Sequence, residues 1–148
     1  LPKKIYIADK NNIDICIMPP ADGYAISDMN GRIKTIRRNE RKIKETAYKQ
    51  RQLLFAVWQA LKPGGILVYS TCTFAPEENE VQVSKLLERF GDTIKIENIS
   101  SVLFGLKTLP PVLEWKGKKL HAGVKNALRI FPTSGIEGFF VAKITKAL

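Results

Sequence analysis

The chain has few residues that bind transition metals or form disulfides. Its 148 residues include two cysteines, Cys16 and Cys72, and a single histidine, His121. Two cysteines do not make a disulfide framework and here lack the C-x-x-C spacing of a metal site, so a reducing, cytoplasmic setting is expected. One histidine without a ligand cluster argues against a metal enzyme. We expect His121 to be a surface or structural residue.

Three longer features are also missing. No apolar run approaches the roughly 18 residues that span a membrane, and Leu1–Lys4 does not resemble a signal peptide. No Gly-rich strand-to-helix loop that could hold a nucleotide or adenosyl cofactor is present, because Gly64-Gly65 precedes a strand instead. The sequence also starts without an initiator methionine and reaches a strand almost at once. It is expected to be the later part of a longer polypeptide, or one segment of a divided one.

Acidic residues are outnumbered by basic ones. Lys and Arg total 24 against 14 Asp and Glu, which gives a net charge of +10. Residues 30–51, the basic centre, hold nine basic and two acidic residues. We interpret the basic centre as a surface that contacts the phosphates of RNA or DNA, with a solvated helix face or a flexible loop as the alternative. The residues expected to bind RNA are Arg32, Lys34, Arg37, Arg38, Arg41, Lys42 and Lys44.

Residue patterns predict alternating strands and helices. A helix over 46–61 is the clearest element, with Thr46 as its cap and Trp58 on its buried face. The predicted order is strand 4–8, strand 13–18, helix 46–61, strand 66–70, helix 76–90, strand 93–99, a loop-rich segment over 101–124 and a hairpin of 127–131 with 138–144. This order fits an α/β fold, the second half of a doubly wound sheet that is mostly parallel and ends in an antiparallel hairpin.

Cys72 occupies the most suggestive position in this order. It follows the apolar strand that opens after Gly64-Gly65 and precedes the helix that begins near Pro76. Ligands of open α/β sheets bind where strands end, and a helix N-terminus favours the thiolate form of a nearby cysteine. The position therefore predicts that Cys72 is a nucleophile; an inert buried cysteine is the alternative.

Several stretches of the chain together form a recognisable signature. The longest is Lys62–Thr73 (KPGGILVYSTCT), continued by Pro76–Glu80 (PEENE). The others are Gln50–Leu54, Arg129–Pro132, Gly138–Lys143 and Glu114–His121. These stretches resemble the RNA cytosine-5 methyltransferases of the Sun/Fmu/nucleolar-protein type, and Glu114–His121 is similar to archaeal members in particular. The resemblance covers essentially the whole chain. It identifies residues 1–148 as the C-terminal part of one Rossmann-like (class I) methyltransferase domain, whose cofactor-binding N-terminal half lies outside this chain.

The resemblance implies a covalent mechanism. By motif position, Cys72 would add to carbon 6 of a flipped-out cytosine in tRNA or rRNA. Carbon 5 would then take the methyl group of S-adenosylmethionine, a base would remove the carbon 5 proton, and the thiolate would leave. Because the cofactor half is not in this chain, a partner chain or missing segment would have to supply it.

One family motif differs here. The family's sequence Asp, Pro or Ala, Pro, Cys, Ser, Gly reads MPPADG at residues 18–23. Met18 replaces the acid that contacts cofactor and base, and Ala21 replaces the second cysteine, which assists product release. Neither Asp22 nor Cys16 is expected to substitute, because strand geometry places them differently. An alternative function is therefore a non-catalytic RNA-binding or scaffolding relative; a fragment of a small-molecule or DNA methyltransferase is a third.

Overall fold

The computed structural model describes residues 5–6, 12–16, 25–27, 33–35, 40–103, 105–136 and 138–148. Its longest element is α1 (Glu40–Ala60), which begins six residues before the predicted start. The prediction of Thr46 as the helix cap is therefore wrong. Glu40 lies in the first turn, where the helix dipole favours an acid, and Arg41 pairs with Glu45 one turn later at 3.1 Å. The helix ends before Pro63-Gly64, as predicted.

One face of α1 packs into the core. The buried residues on this face include Leu54 and Trp58, and Trp58 is only 1% exposed, which confirms its prediction as a core residue. Lys146, at the other end of the chain, donates from Nζ to the carbonyl oxygens of Trp58 (2.9 Å) and Leu61 (2.7 Å). An ammonium group at this position satisfies carbonyls that the helix end leaves without intrahelical partners.

The main sheet has seven strands among the described residues. They are β1 (Ile5–Tyr6), β2 (Asn12–Cys16), β5 (Ile66–Thr71), β6 (Ile94–Glu97), β7 (Thr108–Leu109), β10 (Leu128–Ile130) and β11 (Phe139–Lys146). The order is β1-β2-β5-β11-β10-β7, and β6 also pairs with β11. The predicted strands over 4–8 and 13–18 are described only at β1 and β2; their remaining residues lie outside the described part.

The α/β fold with an antiparallel C-terminal hairpin is confirmed, but strand pairing corrects the expectation of a mostly parallel sheet. Among the described pairs of this sheet, β2–β5 is parallel and the others are antiparallel. Four of the seven strands, β2, β5, β6 and β10, still run in one direction, because β5, β6 and β10 all pair with β11. Because the described strands β5, β6 and β10 pair with β11 and not with one another, their pairings are antiparallel although these strands themselves run in one direction.

A second helix follows β5. The chain makes a short 3-10 turn at Pro76–Glu78 before α2 (Glu80–Phe90), so the helix predicted from Pro76 starts four residues later. The buried side of α2 includes Val83, Leu86 and Leu87. These residues join Leu54, Trp58, Leu67, Tyr69, Phe140 and Ile144 in one hydrophobic core. The core fixes the positions from which β5 and α2 present the intervening loop.

Two short hairpins were not predicted. One pairs β3 (Ala25–Ser27) with β4 (Ile33–Thr35), and the other pairs β8 (Glu114–Trp115) with β9 (Lys118–Lys119). In the second, Lys116 and Gly117 both have positive φ, at 49° and 75°. This is the backbone form of a tight hairpin turn, but lysine is not a typical residue at its first position. Within the described ranges, no helix is long and apolar enough to cross a membrane.

Candidate functional site

Cys72 lies directly after β5, at the edge of the sheet where β2 also ends. Cys16 of β2 lies opposite Ser70 of β5 in parallel register, so the chain leaves both strands at the same edge. The Cys72 side chain is half-buried. The structure therefore places the predicted nucleophile at the carboxyl end of two parallel strands, where ligands of α/β sheets bind.

The loop after β5 is held by the Asn79 side chain. Thr71 donates from its hydroxyl to Asn79 Oδ1, and Asn79 Nδ2 donates to the carbonyl oxygen of Thr73 at 2.8 Å. The Thr73 hydroxyl in turn accepts from the Ala75 backbone N–H at 3.1 Å. Thr71 and Asn79 are fully buried. One amide side chain thus binds both residues that flank Cys72, which fixes the backbone on either side of the thiol.

A buried ion pair holds the same loop from a second direction. Arg129 of β10 donates from Nε to Glu80 Oε1 at 2.5 Å and from Nη2 to Glu80 Oε2 at 2.7 Å. Its Nη1 donates to the carbonyl oxygen of Phe74 at 3.1 Å. Glu80 Oε1 also accepts from the backbone N–H of Val112 at 3.0 Å. The two-point geometry is specific to a guanidinium and a carboxylate, and it ties the loop to the first residue of α2 and to β10.

The 3-10 turn at Pro76–Glu78 is held by side chains from β5 and α1. Tyr69 of β5 donates from its hydroxyl to the Glu78 carbonyl oxygen at 2.5 Å, and Gln50 of α1 donates to Glu78 Oε2 at 3.3 Å. Burial, and secondarily the charge of Glu78, raise the pKa of Tyr69 well above its ordinary value. The phenol therefore remains a hydrogen-bond donor, and the turn is held by both the sheet and α1.

The other predicted site residues do not all fall within the described part of the chain. Met18, Ala21, Arg32, Arg37 and Arg38 lie outside it. Lys34 belongs to β4, for which backbone pairing is described. Arg41, Lys42 and Lys44 are exposed on the first turns of α1, where cations can meet phosphates. Their binding to RNA stays a prediction.

His121 forms a local hydrogen bond at the surface. Its side chain is exposed, and Nδ1 accepts from the Gly123 backbone N–H at 3.1 Å at the start of a short 3-10 turn. Within the described ranges, no group of three or more His, Cys, Asp or Glu residues is arranged to hold a metal ion. This local hydrogen bond gives His121 a structural role.

Sequence reasoning singled out Cys72 but missed the residues that hold it. Asn79, Glu80 and Arg129 lie inside the stretches that carry the family resemblance, yet they were assigned no role. A signal was available, because a run of polar residues, Glu77–Glu80, directly precedes the apolar pattern of a helix. Of these residues, Glu78, Asn79 and Glu80 are fully buried, and buried polar groups are expected to be hydrogen-bonded.

One cavity among the described residues lies far from Cys72. A shallow, open cavity lies at the C-terminal end of α2, lined by residues 87–93. The helix has 11 residues, so this cavity is about 16 Å along its axis from the end that holds the Cys72 loop. A methyl donor bound there would not reach a base at Cys72.

The sheet, the two helices and the cysteine-bearing loop define an α/β protein of the methyltransferase class. Solved structures support this class. A methyltransferase homologue from Pyrococcus horikoshii has a TM-score of 0.66 and 34% identity, over 91% of this chain and 39% of that one. NSun6 from Pyrococcus horikoshii, solved with SFG, has a TM-score of 0.58 and 28% identity, over 93% and 31%.

The chain belongs to the family described as 16S rRNA methyltransferase RsmB/F, whose model matches residues 6–145. This confirms the family resemblance. The tRNA (cytosine(49)-C(5))-methyltransferase of Pyrococcus abyssi is 44% identical over 66% of the chain. Ribosomal RNA small subunit methyltransferase B of Erwinia tasmaniensis is 35% identical over 89%. The chain spans 30% and 26% of the lengths of these two relatives.

Proposed function

We propose that the chain is the C-terminal part of a catalytic domain that methylates carbon 5 of cytosine in tRNA or rRNA. The observation that carries this proposal is the position of Cys72, half-buried at the end of β5 in a loop held by Asn79 and by the Glu80–Arg129 pair. Family membership and the activities for which the relatives are named support the reaction class.

In the proposed mechanism, the Cys72 thiolate attacks carbon 6 of a flipped-out cytosine and forms a carbon–sulfur bond. The electron pair of the 5,6 double bond shifts toward carbon 5, which becomes nucleophilic. S-adenosylmethionine, when bound, would supply an electrophilic methyl group to carbon 5, and the remainder of the cofactor would leave as S-adenosylhomocysteine. Removal of the carbon 5 proton by a base restores the double bond and expels the Cys72 thiolate. The preorganised loop contributes by holding the sulfur at one position, which reduces the entropic cost of attack.

We further propose that the cofactor site is completed outside the described residues, by another segment or a partner chain. Two observations support this. The chain spans only 30% and 26% of the lengths of two relatives, and Met18 stands where the family has an acid. Methionine neither donates nor accepts as a carboxylate does.

The test is methyl transfer by the full-length protein or assembly that contains these 148 residues. It is incubated with S-adenosylmethionine carrying a labelled methyl group and with tRNA or rRNA. We expect label in cytosine for the wild type and none for Cys72→Ser, whereas Cys16→Ser, the matched control on β2, transfers normally. No transfer by the wild type, or equal transfer by Cys72→Ser, would refute catalysis by Cys72.

Substitution of Ala21 provides a second test, which measures release of the covalent RNA adduct. Because Ala21 stands where the family has a cysteine that assists release, the wild type is expected to accumulate a covalent RNA adduct. Ala21→Cys should shorten the lifetime of that adduct on a denaturing gel, and Ala21→Ser serves as its size-matched control. Fast wild-type turnover without a detectable adduct would contradict a role of this position in release.

A non-catalytic RNA-binding relative is the second candidate, and Met18 and Ala21 favour it. This function predicts RNA affinity that falls with salt and no methyl transfer. Each phosphate-contacting residue removed from Arg32, Lys34, Arg37, Arg38, Arg41, Lys42 and Lys44 should reduce the salt slope by about one. Affinity that is independent of salt and of these residues would exclude this candidate.

A further inference from the structure

Two exposed phenylalanines lie at the sheet edge that bears Cys72. Phe74 is two residues after Cys72 and 45% exposed, and Phe131 directly follows β10 and is 40% exposed. Since β5 and β10 both pair antiparallel with β11, they run in the same direction and end at the same edge. Phe74 therefore lies in the loop that the proposed mechanism uses, and Phe131 lies at the same edge of the sheet.

The Phe74 ring is held in place from one side. An ideal Cβ built on Gly138 would lie 2.1 Å from Phe74 Cζ, so the Phe74 ring rests directly on the Gly138 backbone. The Phe74 carbonyl oxygen is fixed by Arg129 Nη1 at 3.1 Å. Phe74 is thus an exposed ring with a rigid support, whereas most exposed apolar side chains can move on the surface.

A lysine accompanies the second ring. Lys107 Nζ lies 4.8 Å from the centroid of the Phe131 ring, and the Phe131 backbone N–H donates to the Lys107 carbonyl oxygen at 2.8 Å. This is the distance of a cation–π contact. Phe131 and Lys107 therefore form a unit that offers an aromatic surface and a positive charge together.

Aromatic rings beside positive charge are the usual means of holding single-stranded nucleic acid, since bases stack on the rings and cations meet the phosphates. A cytosine can reach a nucleophile only if it is unstacked from its neighbours, which leaves those neighbours with exposed faces. We propose that Phe74 and Phe131 stack on the nucleotides next to the target cytosine, with Lys107 contacting an adjoining phosphate. This inference rests on the proposed function and names how that site holds its RNA.

The test uses the full-length protein carrying Cys72→Ser, so that RNA binding is measured without a covalent adduct. The probe is a short single-stranded RNA with a central cytosine and 2-aminopurine on either side of it. Stacking on a ring changes the 2-aminopurine fluorescence, and titration gives the affinity. Phe131→Ala and Phe74→Ala should each weaken binding roughly 5- to 150-fold and abolish the fluorescence change at one flanking position.

Matched variants separate stacking from apolar contact. Phe131→Trp and Phe74→Trp keep a ring and should retain wild-type affinity, whereas Phe131→Leu and Phe74→Leu should behave like the alanine variants. Lys107→Gln should reduce the salt slope by about one, and Lys107→Arg should preserve it. Thermal unfolding of each variant verifies that it is folded.

The outcomes distinguish this inference from the proposed function. Wild-type affinity and fluorescence in both alanine variants would overturn the stacking surface even if the wild type methylates RNA. Ring-dependent binding by a protein that transfers no methyl group would support the stacking surface and refute the proposed methylation.

Discussion

Arg129 and Glu80 form a two-point ion pair across 49 residues of sequence, with Glu80 fully buried and the Arg129 side chain 11% exposed. The same guanidinium reaches the Phe74 carbonyl oxygen. A single side chain therefore links the hairpin strand β10, the start of α2 and the loop that carries Cys72. Three elements that arise at separate points of the chain are fixed relative to one another by this contact.

Removal of one charge from this pair should destabilise the fold strongly. Glu80→Gln leaves the Arg129 charge buried without its carboxylate, which costs about 3–5 kcal/mol of unfolding free energy in comparable pairs. Urea unfolding measures this loss. Glu88→Gln is the control, because the Lys85–Glu88 pair is exposed on both sides and should contribute at most about 1 kcal/mol. Equal losses for the two variants would contradict the role given to the buried pair.

A double variant separates folding from positioning. Glu80→Leu with Arg129→Met removes both charges and replaces them with apolar groups, which can recover much of the stability. The bond to the Phe74 carbonyl oxygen is not recovered. We expect this variant to fold but to lose kcat for methyl transfer. Full methyl transfer by the folded double variant would show that Arg129 does not position the loop.

Asn79→Ala tests the second support of the Cys72 loop. The change leaves the Thr71 hydroxyl without its acceptor and the Thr73 carbonyl without its donor, and an unsatisfied buried polar group costs about 1–3 kcal/mol. Asn98→Ala is the matched control, because Asn98 is exposed and its side chain accepts one bond, from the Ser100 N–H. Urea unfolding should show a clear loss for Asn79→Ala and almost none for Asn98→Ala.

The Asn79→Ala substitution should also change the reactivity of the Cys72 thiol. The rate of Cys72 alkylation by iodoacetamide, followed by mass spectrometry, reports access to the thiol. We expect Asn79→Ala to alter this rate, since the backbone on both sides of Cys72 is released. An unchanged rate in a folded Asn79→Ala protein would argue that other contacts alone fix the loop.

An acid-sensitive contact joins the 3-10 turn to the β8–β9 hairpin. Lys116 Nζ lies 3.2 Å from Glu77 Oε1. Burial, the largest single influence, raises the pKa of Glu77, but its hydrogen bonds and the Lys116 charge outweigh it and hold this pKa below the ordinary value of 4.5. A carboxylate with a lowered pKa contributes stability above pH 4.5, and this stability is lost as the pH falls through the folded-state value.

The pH dependence of unfolding should therefore change when either partner is removed. Between about pH 5.5 and pH 3, Glu77→Gln and Lys116→Met should both lose less stability than the wild type as the pH falls. Lys118→Met, which removes an exposed lysine of the same hairpin, should follow the wild-type curve. A Glu77→Gln curve parallel to that of the wild type would show that this pair does not contribute to acid sensitivity.

The position of Cys72 could be predicted from the sequence better than the contacts that hold its loop. Cys72 could be placed at a strand end because the apolar strand 66–70 and the turn residues around it are local signals. The contacts of Arg129 with Glu80 and of Asn79 with Thr71 are set by chain packing, which periodicity does not report. The start of α1 was missed because Arg41 and Glu45, which pair along the helix, read as part of a charged segment. The β8–β9 hairpin was missed because Lys116 occupies a turn position that usually takes glycine or asparagine.

The connection between β10 and β11 offers the most selective test of RNA binding by the Phe74 ring. A Cβ at Gly138 would overlap the Phe74 ring, while a Cβ at Gly135, in the same connection, would meet nothing within 4 Å. Because the side of the Phe74 ring away from Gly138 is exposed, Gly138→Ala should displace the ring toward solvent at a stability cost of about 1–3 kcal/mol. The displaced ring loses its support, so RNA affinity should fall as in Phe74→Ala. Gly135→Ala should leave both stability and affinity unchanged.

The decisive comparison is Gly138→Ala in a Phe74→Ala background, where the ring is already absent. There the glycine substitution should have no further effect on RNA affinity, and an additional loss would mean that Gly138 itself, and not the ring it supports, contacts the RNA.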